Sequence, residues 1–265
     1  MDFNMQHLYE QLDRFHLLDV KNATHPSMFV EETHYDILIL TLPSKEKELK
    51  IDAHAFVFDA TTYYHFDRKA NQFVDMTSIQ NVYEFLNEKT DITMKLVASI
   101  HESIEWMEEQ LYEKKPFTHF TRYWLGHKKD LSRIHRLLNL AEDALEYFLK
   151  SYMHEEDFLM THFKDIEEHL QRTNRSVLLA MDKLGNLYSF YTTRNNERMN
   201  KTIYLLTILS GIFLPLHLIV GYFGINTQGL PLSTIENGSL WVIGLLLLGA
   251  LGMIAGIWYY RKKYW

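Results

Sequence analysis

Cysteine is absent from the 265 residues. That excludes disulfides and Cys-ligated zinc, and it fits a cytosolic soluble part. Proline is scarce: there are five, and none falls in the 98 residues from Phe117 to Leu214. From Phe117 to Ser210 the only glycines are Gly126 and Gly185. Punctuation this sparse permits very long helices. Charge is missing from two stretches: Thr202 to Phe223 (22 residues) and Leu240 to Tyr260 (21 residues) contain no Asp, Glu, Lys or Arg. At about 1.5 Å per residue the first would be roughly 33 Å long as a helix, enough to cross a hydrocarbon core of about 30 Å, and the second crosses on the same argument. Also missing are a Gly-rich phosphate loop, a Gly-x-Ser-x-Gly turn and a His-Glu-x-x-His helix, so no enzyme is expected on these motifs. Met1 to Phe15 has no apolar core run, so no cleavable signal peptide is expected.

The charges that are present are unevenly placed. Residues 198–265 hold five Lys or Arg and one Glu, a net of +4, which leaves 22 basic and 33 acidic side chains, a net of −11, in the first 197. An acidic soluble part argues against nucleic acid, because phosphate contact needs a basic face, and it can attract cations. Arg194, Arg198 and Lys201 precede the first uncharged run, and Arg261, Lys262 and Lys263 follow the second. The 16 residues between the runs, Gly224 to Ser239, carry Glu236 as their only charge. Positive flanks stay in the cytoplasm, so both termini are expected inside and the loop outside. Tyr222, Phe223 and Trp241 at one interface and Trp258, Tyr259, Tyr260, Tyr264 and Trp265 at the other would form aromatic belts.

The soluble part divides by period. Residues 1–20 read as a short helix or irregular lead-in. Phe29 to Leu42, closed by Pro43, then Leu49 to Phe58, Thr61 to Phe66 and Gln72 to Met76 carry strand and hairpin signals, so a small, mostly antiparallel sheet is expected over residues 28–76. After Thr77 the pattern turns helical. Thr77 or Ser78 would cap a first helix, Thr90 or Asp91 would start a second, and Pro116 would end it. Leu131, Ile134, Leu138, Ala141, Leu145, Phe148 and Tyr152 form one apolar stripe. Val177, Ala180, Leu184, Leu187 and Tyr191 form another. The second leads toward Asn200 without a breaker, which predicts a stalk helix from near Arg175 into the membrane, roughly 70 Å or more in length. Such a helix needs neighbours to bury its stripe, from this chain or from identical chains.

The first uncharged run carries its polar residues on one side. Steps of three and four from Asn200 give Ile203, Thr207, Ser210, Leu214, His217 and Gly221, arriving beside Gly224. Without charge, such a face can line a pore through hydration and steric control. Thr and Ser taken singly also serve helix–helix hydrogen bonds, but their alignment favours the pore. His217 could ligate a transition metal, carry a proton, or be a neutral imidazole bonded to a carbonyl. Gly252 and Gly256 form a Gly-x-x-x-Gly that suggests close packing on another helix. In the soluble part, His162, Asp165 and His169 share a helix face with metal-binding spacing, as do His101, Glu105 and Glu108; a solvated face is the commoner use of such spacing.

The features of residues 196–265 together resemble the CorA divalent-cation transporters. They are Asn200 at the head of the run, Leu206-Thr207, Pro215 within it, Gly-Tyr-Phe-Gly-Ile-Asn at its end, a Pro soon after, a second run and a short basic, aromatic tail. That family usually has Gly-Met-Asn at this point. Gly224-Ile225-Asn226 is the variant typical of the ZntB zinc-transporter branch. Over residues 1–150 the resemblance is one of overall plan. The resemblance implies that Gly224, Ile225 and Asn226 form the selectivity motif at an outer pore mouth. There a ring of Asn amide oxygens could hold a hydrated divalent cation without stripping its water. The bland alternative is a turn that simply needs Gly and Asn. It also implies a homopentamer, and regulation by cations bound between cytosolic domains, for which no motif here marks the residues.

The expected fold is therefore an α+β cytosolic domain with a long stalk helix, followed by two C-terminal transmembrane helices, assembled as a CorA-like homopentamer. The expected parts are a β-rich subdomain over 1–76, a helical subdomain and stalk over 77–197, and a transmembrane part over 198–265 with spans near 202–223 and 240–260. The expected function is passage of Zn²⁺ or Mg²⁺ across a bacterial inner membrane through a homopentameric pore lined by the first span, with no resident cofactor; Co²⁺ and Ni²⁺ are lesser candidates as transported or regulatory ions. The expected partners are further copies of the chain, the lipid bilayer and divalent ions. The contrasting reading is a membrane-anchored helical scaffold or sensor with no permeation path, for which a polar stripe has no use.

Overall fold

After a helical turn at residues 8–11, Asp13 starts helix α1 (Arg14–Lys21) by accepting from the Phe15 N–H at 2.7 Å. A short polar cap of this kind satisfies an N–H left over at a helix start. The computed structural model describes residues 8–45, 48–59, 62–113, 117–155, 158–224 and 237–264. After α1 come five strands: β1 (Met28–Glu31), β2 (Tyr35–Lys45), β3 (Leu49–Asp59), β4 (Tyr63–Asp67) and β5 (Gln72–Asp75). Each pairs antiparallel with the next, in chain order. The antiparallel sheet read from the alternation over 28–76 is present.

Pro43 does not close its strand as the sequence pattern predicts. It pairs opposite Ile51, and β2 continues to Lys45. The reason is geometric. The Thr41 N–H donates to Ser27 Oγ at 2.9 Å, away from β3. Pro43, two residues on, directs its nitrogen the same way, past the end of β1, so no ladder bond is lost.

The sheet buries both faces. Ile37, Ile39, Ala55, Val57, Tyr64, Phe66 and Phe73 point to one side, with Leu8, Leu12 and Val20 packed on them. Leu38, Leu40, Phe56 and Phe58 alternate to the other side and are buried. That side meets α2 (Ile79–Tyr112) and α3 (Phe120–Ser151). Phe148 of α3 joins the layers, with ring centroids 5.2 Å from Phe58, 5.5 Å from Phe29 and 5.5 Å from Phe163. Full burial of one such ring stabilises by about 1.5–3 kcal/mol.

Ser78 caps α2 as expected, accepting from the Asn81 N–H at 3.3 Å. The second helix start expected at Thr90 or Asp91 is absent: α2 runs unbroken for 34 residues. Thr90 and Thr93 are buried inside it, and the Thr93 hydroxyl bonds the carbonyls of Pro43 and Lys89. Leu131, Ile134, Leu138, Ala141, Leu145 and Phe148 of α3 are all buried. The long helix α4 (Met160–Gly224) has 65 residues and begins 15 residues before the expected start near Arg175. Phe163, Ile166 and Leu170 extend the buried stripe of Val177, Ala180, Leu184 and Leu187 backwards, and that extra burial explains the earlier start. The last helix, α5 (Gly238–Tyr264), has 27 residues.

By contacts the chain falls into two compact units, 1–189 and 190–265. The first holds the sheet, α1 to α3 and the beginning of α4. The second holds the rest of α4 and α5.

Candidate functional site

Among the described residues, α4 is the one helix long and apolar enough to cross a membrane, and none of its most apolar 18-residue window is buried. The described apolar run of α5 is shorter, Leu240–Gly256. Within unit 190–265 the two helices cover each other only in part. On α4 the half-buried residues of the uncharged run are Ile208, Ile212, Pro215, Leu216, Ile219 and Phe223. On α5 they include Val242, Leu246, Gly249, Ala250 and Met253, at steps of three and four.

The polar face of α4 lies on the other side. At about 100° per residue, Asn200, Ile203, Thr207, Ser210, Leu214, His217 and Gly221 centre roughly 180° round the helix from the half-buried stripe. All seven are exposed, Leu214 at 71 %. So the face a lipid would least accept is among those left exposed by the described residues of one chain. Thr207 donates its hydroxyl proton to the Ile203 carbonyl at 2.9 Å, a bond within its own helix rather than between helices. Its oxygen lone pairs remain as acceptors, the polarity a cation's hydration shell requires of a wall.

Gly224 is the last residue of α4 and keeps a negative φ; a Cβ built there meets nothing within 4 Å. Ile225, Asn226 and Glu236 lie outside the described residues. Gly252 and Gly256 also have nothing within 4 Å of a built Cβ, so close packing on a helix of the same chain does not require them. A shallow cleft at this level is lined by Thr207, Ile208, Gly211, Met253 and Gly256.

The sites expected in the soluble unit resolve otherwise. His169 Nε2 is 3.8 Å from Asp165 Oδ1, but His162 turns edge-on to Tyr83 with centroids 5.0 Å apart. His101 bonds Ser176, and Lys183 engages Glu105 at 3.8 Å and Glu108 at 2.8 Å. Among the described residues no three His, Cys, Asp or Glu side chains gather to hold a metal ion. Among the described residues the metal-ligating reading of His162, Asp165 and His169 is left with the Asp165–His169 pair and no third ligand.

Comparison with known proteins decides the family. The family described as "CorA-like Mg2+ transporter protein" matches residues 57–261, most of the chain and both apolar runs. The chain belongs to that family. It is a family of transporters, not of enzymes. The divalent cation transporter CmaX of Pseudomonas aeruginosa is 26% identical over 192 residues, which are 71% of this chain and 56% of CmaX. The zinc transport protein ZntB of Yersinia enterocolitica is 23% identical over 185 residues, 69% of this chain and 54% of ZntB. The chain thus spans about half the length of the curated relatives it matches. Among solved structures, the CorA magnesium transporter of Methanocaldococcus jannaschii superposes with a TM-score of 0.78 at 18% identity, covering 98% of this chain and 87% of that one. At that identity the likeness is one of fold. It matches the CorA-like plan read from the sequence: an α+β domain, a long helix and a second C-terminal helix.

Proposed function

We propose that this chain is one subunit of a homo-oligomeric divalent-cation transporter in a bacterial inner membrane, with both termini cytoplasmic. The first apolar run of α4 lines the pore through Asn200, Ile203, Thr207, Ser210, Leu214, His217 and Gly221, and α5 stands outside it. Five copies form the ring, by resemblance to the family. Gly224, Ile225 and Asn226 form the outer mouth, where the Asn226 amide oxygen holds a hydrated ion through water and avoids the dehydration Mg²⁺ resists. The cargo is Zn²⁺ or Mg²⁺, since relatives bear both names.

The observation that carries this reading is the uncovered polar face of α4, set opposite the face that α5 partly covers. Polar side chains in hydrocarbon turn toward protein or water. Among the described residues these side chains are exposed, with Thr207 at the edge of a cleft beside Met253 and Gly256, so identical neighbours around a wet axis are the arrangement that satisfies them. The test is ion-resolved uptake of Zn²⁺ and Mg²⁺ into liposomes holding the purified chain, with oligomer mass measured alongside. Wild type takes up a divalent ion as a closed ring. Asn226→Ala cuts uptake strongly at unchanged mass, and Asn226→Asp changes selectivity or blocks. A monomer that conducts, or wild-type uptake by both variants, contradicts the reading.

A further inference from the structure

A cleft of about 800 Å³ opens in unit 1–189, between the β3–β4 end of the sheet and α2. Its cations are Lys50, Arg68, Lys69 and Lys89, and its acids are Asp52 and Asp67. The excess is therefore positive, in a soluble part whose overall charge is strongly negative. Lys50 lies 2.9 Å from Asp52, and Lys89 2.8 Å from the largely exposed Glu88.

Arg68 is held differently. Its guanidinium donates to the backbone carbonyls of Ala53, Val20 and Asn22, and among the described residues it makes no salt bridge. Carbonyls position the fork without neutralising it, so its charge stays available to the cleft.

The wall beside this charge is aromatic. The Phe85 ring lies 5.2 Å from His54 and 4.6 Å from His65, centroid to centroid. Burial holds both imidazoles down to about 4; the second cause is His65 for His54, and Arg68 for His65. Near neutral pH they are therefore uncharged rings. Val74 and Ile92, each more than a third exposed, extend the apolar surface along the cleft. His65 Nε2 and Arg68 Nε are buried with no hydrogen-bond partner. Buried groups left in this state mark a place where a water or a ligand completes the bonding.

We propose that this cleft binds a small organic anion that carries a flat ring, a nucleoside phosphate being the chemical class. The phosphate meets Arg68 and Lys89, and the ring lies on Phe85 and the two imidazoles. The volume falls within the range of roughly 300–1,000 Å³ usual for small-molecule sites. A metal ion does not fit the same cleft, because cations outnumber acids there and no three ligating side chains converge. The inference stands on residues far from the polar face of α4 in sequence and does not depend on transport.

Equilibrium binding of adenosine monophosphate to the full chain in detergent, with a chelator present to remove metals, tests it. The expected result is saturable binding, with adenosine and inorganic phosphate each at least tenfold weaker. Lys89→Gln, which leaves the backbone bonds of Arg68 intact, weakens binding about tenfold. Phe85→Leu weakens it several-fold. Both variants keep the wild-type melting temperature within a few degrees, or Lys89→Gln alone decides. Absence of saturable binding overturns the proposal, as does adenosine binding as tightly as its monophosphate. Unchanged affinity in Lys89→Gln overturns it equally.

Discussion

Thr93 Oγ1 donates to the carbonyl oxygen of Pro43 at 3.0 Å, across 50 positions of sequence. This bond pins the middle of α2 to the open end of β2, and Thr93 is fully buried. Thr93→Val keeps the shape and removes the donor, which leaves a buried carbonyl short of a partner. The expected loss is about 1–3 kcal/mol, a fall of several degrees in thermal midpoint. Thr93→Ser retains the hydroxyl and loses less of that bond. A valine variant as stable as wild type would show that the bond contributes nothing net.

Thr90, one turn earlier on α2 and also buried, belongs to the one misread helix start. A Thr followed by Asp at 90–91 looks like a helix start, because caps and buried polar anchors use the same short hydroxyl side chains. Only the fold places Pro43 above Thr93. By contrast, the alternation of residues 28–76 was legible, since one period-two pattern describes both faces of each strand. The stripe over 131–152 was legible for the matching reason at period 3.6. The early part of α4 was missed because Phe163, Ile166 and Leu170 follow a dense run of charge and have no cap before them. The polar face of α4 could be counted from Asn200, but its position opposite the half-buried stripe depends on where α5 lies. Alternation within single strands could not bring up His65, whose place beside Phe56 is a matter of pairing register.

His54 and His65 make stability depend on pH. Both fall to about 4 in the fold, below the usual imidazole value of roughly 6.5. Between these values the unfolded chain binds more protons than the folded one, so stability is present above about pH 6.5 and lost as pH falls toward 4. Lys89 and Arg68 push in this direction; Asp52 and Asp67 oppose it. The pair contributes on the order of a few kcal/mol across that window. Thermal midpoints of wild type should drop between pH 7 and 4, with a shallower drop in His54→Gln/His65→Gln. Identical profiles in the two proteins would remove these imidazoles as the cause.

His217 stands exposed on the polar face of α4. If it lines the pore as a transition-metal ligand, His217→Ala should lower Zn²⁺ flux while assembly is unchanged. Flux equal to wild type would assign His217 a packing role.

The absence of cysteine allows the pore face itself to be probed, one residue at a time, in the otherwise native chain. Thr207→Cys, Ser210→Cys and His217→Cys place a thiol on the polar face. Leu205→Cys and Leu209→Cys place one roughly 120–160° away, on a side also exposed in a single chain. The measurement is divalent-metal uptake into liposomes before and after treatment with a charged, water-soluble thiol reagent. The account predicts that the three polar-face variants are labelled and blocked while the two leucine-site variants are neither labelled nor slowed. Labelling without the helical period, or uptake indifferent to labelling at 207, 210 and 217, would contradict a pore lined by α4.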